Sequence, residues 1–303
     1  MKRSTERILT THTGSLPRPD DLTRTMFAKE EGVPVDSGAL AARIRSAVAE
    51  VVRKQVEVGV DVVNDGEYSK PSYATYVKDR LRGFGGASQP LQYRDLVDFP
   101  GMARRVFGDP GRARRRAPAC TEAVAVQDAE AARTDVANLR TAVAQVTPQE
   151  AFLTAASPGV ISLFFHNEHY PSHEAYLFAI AEAMKHEYET VARAGLVLQV
   201  DCPDLAMGRH IQFADLSLEE FRKMARLHVE ALDHALAGCR QTRRECISAG
   251  ATTRARTTTT SPWRTSSISS SPAARAPCPS RPPTPATPTS GASSRTSACL
   301  TAS

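Results

Sequence analysis

The chain has 303 residues, 41% of them apolar, enough for one large domain or two small ones. Its formal charge of +5 misleads, because residues 240–303 carry nine Arg and one Glu, contribute +8, and leave −3 on the first 239. The high pI therefore says nothing of nucleic acid, no nucleic-acid partner is expected, and the chain holds no apolar run long enough for a membrane span and no signal-peptide pattern.

In chain order, Ile8 to Thr13 is a short β-rich run closed by Gly14-Ser15-Leu16-Pro17-Arg18-Pro19, a strand end entering a Pro-punctuated loop. Residues 37–58 carry apolar side chains at three and four spacing and predict a helix that Gly59 stops. Val60 to Asn64 predicts a strand ending at Asp65-Gly66-Glu67, and residues 70–118 form a long excursion with Gly, Pro and clustered Arg. A helix is expected over 128–145. Ser157-Pro158-Gly159 then leads into an expected apolar strand from Val160 to Phe165. A helix over 172–194 closes at Gly195, a strand follows from Leu196 to Val200 and ends at Asp201, and a last helix covers 217–237. Strand and helix alternate, and the strands are continuously apolar, so the fold class is α/β with a parallel sheet covered on both faces. The polar groups Ser15, Glu67 and Asp201 fall at carboxyl ends of strands, where such folds bind ligands. Neither G-x-G-x-x-G after the first strand nor G-x-x-x-x-G-K-[ST] occurs, which lowers the weight of nucleotide-phosphate folds.

The chemical character breaks near Cys239. Residues 240–303 are Ser, Thr, Ala, Pro and Arg almost throughout, without Asp, Lys, Val, Phe, Tyr or Met. So few large apolar groups cannot offset the entropy of ordering, and a disordered tail is one reading. The other is a coding sequence translated out of frame. Domains are accordingly expected at 1–239 and 240–303. The three cysteines of the first part, Cys120, Cys202 and Cys239, are too few and scattered for a disulfide framework, which fits a cytoplasmic protein.

The runs T-T-H-T-G-S-L-P-R-P (10–19), V-V-N-D-G-E-Y-S-K (62–70) and L-Q-V-D-C-P-D-L-A (198–206) together resemble the cobalamin-independent methionine synthase family, most closely its short single-barrel members. The resemblance covers residues 1–239. It implies a (β/α)₈ barrel, of which about the first half is encoded here. It also implies a methyltransferase of methionine biosynthesis, moving a methyl group from a reduced folate or another carrier to the thiol of homocysteine with zinc as cofactor. Zinc would deprotonate and hold the thiol, and an acid would protonate the leaving group. The resemblance assigns Gly14 and Ser15 to the homocysteine carboxylate, and Glu67 and Asp201 to its amino group. Gly14-Ser15 also reads as a simple turn, and either acid as a helix cap.

The family's zinc ligands, a His-x-Cys pair, a Glu and a distant Cys, are missing from the chain as written. In the frame that starts each codon at the third base of an existing one, Arg244 to Thr260 permits R-M-H-L-C-W-G-N-Y-E-G-P-H-H-H-D, and the segment from Ser280 permits F-E. The ligands are thus expected only out of frame, and the 303-residue chain is expected to be inactive.

His12 is a loop or core histidine or a substrate contact. His166, His169 and His173 gather in sequence with Glu168 and read as a solvated loop and helix start rather than a metal site. Arg104, Arg105, Arg112 and Arg114 to Arg116 read as exposed charge, and Cys202 as a packed thiol. Alternative functions are alkyl transfer to another small thiol such as coenzyme M, porphyrin decarboxylation without zinc, and a non-catalytic fragment.

Overall fold

Four amphipathic helices each feed a parallel strand, and this repetition builds the sheet. In the computed structural model the described residues are 2, 4–86, 91, 93–107, 117–239, 244–249 and 254–257, all within one compact unit, Met1–Pro262. Helix α1 (Asp20–Glu30) precedes α2 (Ser37–Glu57), which Asp36 caps by accepting from the Ala39 amide at 3.0 Å. Strand β1 (Val62–Val63) follows. The excursion after it holds an antiparallel pair, β2 (Leu81–Gly85) and β3 (Ala119–Val126), and helix α3 (Pro100–Phe107). Then come α4 (Glu130–Val143), β4 (Glu150–Ala156), the short buried α5 (Pro158–Phe164), α6 (His173–Arg193) and β5 (Val197–Asp201). One turn of helix, α7 (Asp204–Met207), precedes α8 (Leu218–Ala235), which starts with a complete capping box of Ser217 and Glu220. Strands β6 (Arg244–Ala249) and β7 (Arg254–Thr257) complete the described elements.

The main sheet runs β1-β4-β5-β6-β7; its first four strands are parallel and β7 is antiparallel to β6. β4 and β5 are buried on both faces over nearly their whole length, as covered parallel strands are. Leu153, Ala155, Leu198 and Val200 join the main core with Leu177, Ile180 and Leu232 of the helices. Val62, Phe152 and Val197 form a separate cluster.

The α/β class and the expected helices over 37–58, 128–145, 172–194 and 217–237 are present within a few residues. Two expected strands are corrected. Val160 to Phe165 lies in and after helix α5: Ser157 caps it by accepting from the Val160 amide at 3.0 Å, and Pro158 opens it with a preset φ. A helix buried on every side is as continuously apolar as a buried strand, so apolarity could not separate the two. The strand is instead β4, whose E-A-F-L-T-A-A sequence is rich in Ala and poor in β-branched residues. Ile8 to Thr13 has no regular secondary structure and forms no ladder among the described residues. It is held by the Thr10 carbonyl, which accepts from Asp61 and Val62 at 3.1 and 3.0 Å, and by the Arg7–Asp61 ion pair.

The low-complexity segment supplies two strands, although its composition favours none. An open edge on β5 offers a row of unpaired backbone groups, and a ladder satisfies them whatever the side chains. The remainder of 240–303 lies outside the described residues, as do Arg112 and Arg114 to Arg116.

The excursion is tied to the body by a buried charge cluster. Arg80 bridges Asp135 of α4 at 2.5 Å and Glu187 of α6 at 3.1 Å, with its guanidinium 4.6 Å from the Tyr76 ring centre. Tyr76 donates its hydroxyl to Glu187 at 2.6 Å. Removing the cation leaves two buried carboxylates without compensation. Arg80→Ala is therefore expected to lose about 3–5 kcal/mol in urea unfolding. Arg80→Lys should recover only part of it, because an ammonium cannot fork to both acids.

Candidate functional site

The site begins where β1 ends. Asn64 to Lys70 turns sharply: Gly66 stands at φ +69, and a Cβ there would lie 2.7 Å from the Tyr68 ring, so no larger residue fits. Glu67 follows at φ +60 and is the only non-glycine residue with positive φ among those described. A bulky residue is held there only when its surroundings determine it, a pattern concentrated at ligand sites.

The surroundings do determine it. Ser15 donates its hydroxyl to Glu67 Oε2 at 2.5 Å, and Thr154 of β4 donates to Oε1 at 3.0 Å. The Glu67 amide donates to Asp65 Oδ1 at 2.9 Å, and its carbonyl accepts from Arg18 at 2.8 Å. The Leu16 amide donates to the Gly66 carbonyl at 3.1 Å, locking the loop of Gly14 and Ser15 onto that of Glu67. Gly14 makes the entry to this loop with φ +85. Ser15 and Glu67, 52 residues apart, are therefore one unit.

The polar row continues across the sheet. Thr154 pairs in register with Gln199 of β5, and Gln199 donates to Asp201 Oδ1 at 3.3 Å. Asp201 ends β5 one strand beyond Thr154 and is partly exposed. Ser15, Glu67 and Asp201 thus share one rim of the sheet; Ser15 touches Glu67, and Asp201 joins the row through β4 and β5.

His12 lies beside this row, its ring centre 5.9 Å from that of Phe152, with Nε2 buried and without a hydrogen-bond partner. Burial lowers its pKa, against the opposing effects of Asn64 and Glu67, so the ring stays neutral more readily than a free imidazole. Beneath the rim Lys70 donates to the Thr154 carbonyl, with Nζ 4.6 Å from the Tyr76 ring centre. Asp65 is fully buried, and desolvation raises it to about 6 against the pull of Lys70.

A second buried cluster stands directly behind Asp201. Ser157 donates to Asp204 Oδ1 at 2.8 Å, Asp204 Oδ2 lies 2.8 Å from His228 Nδ1, and His228 Nε2 lies 2.9 Å from His173 Nε2. Sequence reasoning placed His173 with His166 and His169. Those two are exposed, whereas His173 turns inward to α8. The missed signal is His228 on the apolar stripe Phe221, Ala225, His228, Ala231 and Leu232 of α8. Cys202 is a packed thiol as expected, and Arg104 and Arg105 are exposed.

Among the described residues no three His, Cys, Asp or Glu side chains stand together to hold a metal ion. The segment nearest the expected ligands, R-E-C-I-S-A of β6, contains no histidine. That sequence offers Glu245 and Cys246 but no His-x-Cys pair, so it does not fit the zinc site that the resemblance implies. No helix among the described residues is long and apolar enough to cross a membrane.

Burial and the neighbouring His228 push His173 down to about 4. An unfolded histidine titrates near 6.5, so between these values the unfolded chain binds the extra proton and stability rises with pH. The stability of the wild type relative to His173→Gln should therefore increase as pH rises from about 4 to about 6.5 and level off above. Paired denaturant titrations across that range check it; a flat difference contradicts it.

No protein-family model matches the chain. A methionine synthase of Sulfolobus acidocaldarius is 29% identical over 195 residues, 64% of this chain and 51% of that protein, so the chain spans about half the length of the curated relative it matches. A B12-independent methionine synthase from Shewanella sp. W3-18-1, solved in complex with selenomethionine, superposes with a TM-score of 0.55 at 20% identity, over 78% of this chain and 59% of that one. A putative vitamin-B12-independent methionine synthase from Listeria monocytogenes gives 0.54 at 14%, over 80% and 65%.

Proposed function

We propose that this relative of the cobalamin-independent methionine synthases carries the amino-acid-binding half of a homocysteine S-methyltransferase barrel, and that residues 240–303 are read out of frame. The carrying observation is Glu67, forced to positive φ and held by Ser15 and Thr154 on the rim where Asp201 also stands. A substrate ammonium finds two carboxylates there, and charge-assisted contacts of this kind are strong. The orphaned Nε2 of His12 offers one more polar contact next to Glu67. Gly14 and Ser15 would receive the substrate carboxylate. Two acids on one rim repel a sulfonate, which favours an amino-acid thiol over coenzyme M.

The parallel order β1-β4-β5-β6 supports the barrel reading, since each strand adds to the last in chain order as in the first part of a (β/α)₈ barrel. β6 spans Arg244–Ala249, the stretch whose alternative frame permits M-H-L-C, so the strand that would carry the first ligands runs beside that of Asp201. As encoded, its residues do not fit zinc, and the chain binds substrate without methyl transfer. The methyl donor remains a reduced folate or other carrier, and the compartment the cytosol.

Calorimetry on the 303-residue chain tests the site. L-Homocysteine should bind, and Glu67→Gln and Asp201→Asn should each weaken it about tenfold, one charge-assisted bond's worth. Undiminished affinity in both variants removes the assignment. The frame is tested separately: the chain as encoded should hold no stoichiometric zinc and turn over no homocysteine, whereas one frame correction just after Ala237, with the downstream codons, should restore both. Full zinc and turnover from the uncorrected chain would show that the tail is genuine.

A further inference from the structure

The cluster behind Asp201 has no part in the proposed substrate contacts, yet its polar groups are deeply buried. Ser157, Asp204 and His228 are each exposed by 3% or less. With His173 they come from four separate parts of the fold: Ser157 from the turn after β4, His173 from the start of α6, Asp204 from the start of α7, and His228 from the middle of α8.

The proton inventory orders the chain. A carboxylate only accepts, so Asp204 takes the Ser157 hydroxyl proton on Oδ1 and the His228 Nδ1 proton on Oδ2. With Nδ1 donating to Asp204, a singly protonated His228 accepts at Nε2 from the Nε2 of His173, and a doubly protonated His228 donates to it instead. Phe213 packs against the imidazole pair, with its ring centre 5.4 Å from His173 and 5.6 Å from His228. Gly159 is obligatory beside it: a Cβ would lie 2.0 Å from Asp204 Oδ2 and 2.5 Å from His228 Nδ1.

The link to the site is Ser157. Its amide donates to the Asp201 carbonyl at 3.1 Å while its hydroxyl holds Asp204, three residues on. The turn from Asp201 to Asp204 is thereby pinned at both ends by the one residue that joins β4 to α5. We propose that Ser157, Asp204, His228 and His173 are positioning residues for the amino-acid site, fixing the carboxylate of Asp201 toward the substrate ammonium through this hydrogen-bonded chain. Asp204 and the two histidines act through Asp201 and do not touch the substrate. This rests on the amino-acid-binding reading of Glu67 and Asp201.

The test separates hydrogen bonding from packing at one position. His228→Leu fills the space but donates nothing; His228→Asn leaves space but keeps an N–H where Nδ1 stood. In the full-length chain, Ser157→Ala, Asp204→Asn, Gly159→Ala and His228→Leu should each weaken L-homocysteine about tenfold by calorimetry, the scale of one lost buried hydrogen bond. His228→Asn should stay within about threefold of wild type, on the same scale. A packing role reverses the order of the two His228 variants and overturns the proposal. Amide exchange at Ser157, whose N–H bonds the Asp201 carbonyl, supplies a readout without ligand: exchange should quicken in Asp204→Asn and His228→Leu and not in His228→Asn. Unchanged exchange in all three overturns the positioning role. If exchange responds as expected but the wild type binds no L-homocysteine, the pinning of Asp201 stands, and the amino-acid reading and the positioning role toward a substrate fall together. Zinc titrated as the free ion should leave the ¹⁵N signals of both histidines in place; a shift of both Nε2 resonances would show a metal pair instead of a relay.

Discussion

The carboxylate of Glu67 is the constraint on which the rim depends. β1 is only two residues long, too short to position a loop by its ladder alone. What holds the loop is one acid accepting from Ser15 on one side and Thr154 on the other, with Arg18 on the main-chain carbonyl. The N-terminal segment, β1 and β4 therefore meet at a single side chain, and the strained backbone at that residue is the cost of pointing it there. An uncompensated carboxylate would not survive at this depth; two hydroxyl donors keep it satisfied while leaving lone pairs for a ligand cation.

Much of this was legible in the sequence. Helices announced themselves through apolar spacing and caps, because amphipathicity is a property of each segment alone. Ser15, Glu67 and Asp201 were legible as polar residues closing apolar runs. The turn at Ser157-Pro158-Gly159 was recognised, but the apolar run after it was given the wrong geometry, since complete burial erases the periodicity that separates helix from strand. β4 was missed for the complementary reason: Ala151, Ala155 and Ala156 carry little β preference, and their strand exists because β1 and β5 flank it. The chain from Ser157 to His173 was illegible because its four members lie in separate elements, and only the packing of α8 on α6 and α5 brings them together.

The two charge clusters do different work. Arg80, Asp135 and Glu187 join the excursion to two helices on the outer layer, and their loss would loosen the fold as a whole. Ser157, Asp204 and His228 lie at the rim and bind one turn to its neighbour. The first cluster balances a cation against two anions. The second sets one carboxyl group against a hydroxyl and two imidazoles, so its geometry depends on which nitrogen of each histidine carries a proton.

β6 shows how unequal backbone and side-chain information are. The ladder to β5 uses only amides and carbonyls, and R-E-C-I-S-A forms it in the register Leu198 to Arg244 through Asp201 to Ile247. A metal site has no such tolerance. It needs imidazole and thiolate at fixed alternation on that strand, and a changed reading frame replaces every side chain at once while leaving the backbone chemistry intact. On the proposed reading the damaged segment can therefore still close the edge of β5 and support Asp201 from the far side, so substrate binding and metal chemistry, which share one rim in a complete barrel, part company in this chain. On that same reading the amino-acid contacts fall before the break near Cys239 and the positions of the ligands after it, so their order along the sequence decides which function is kept.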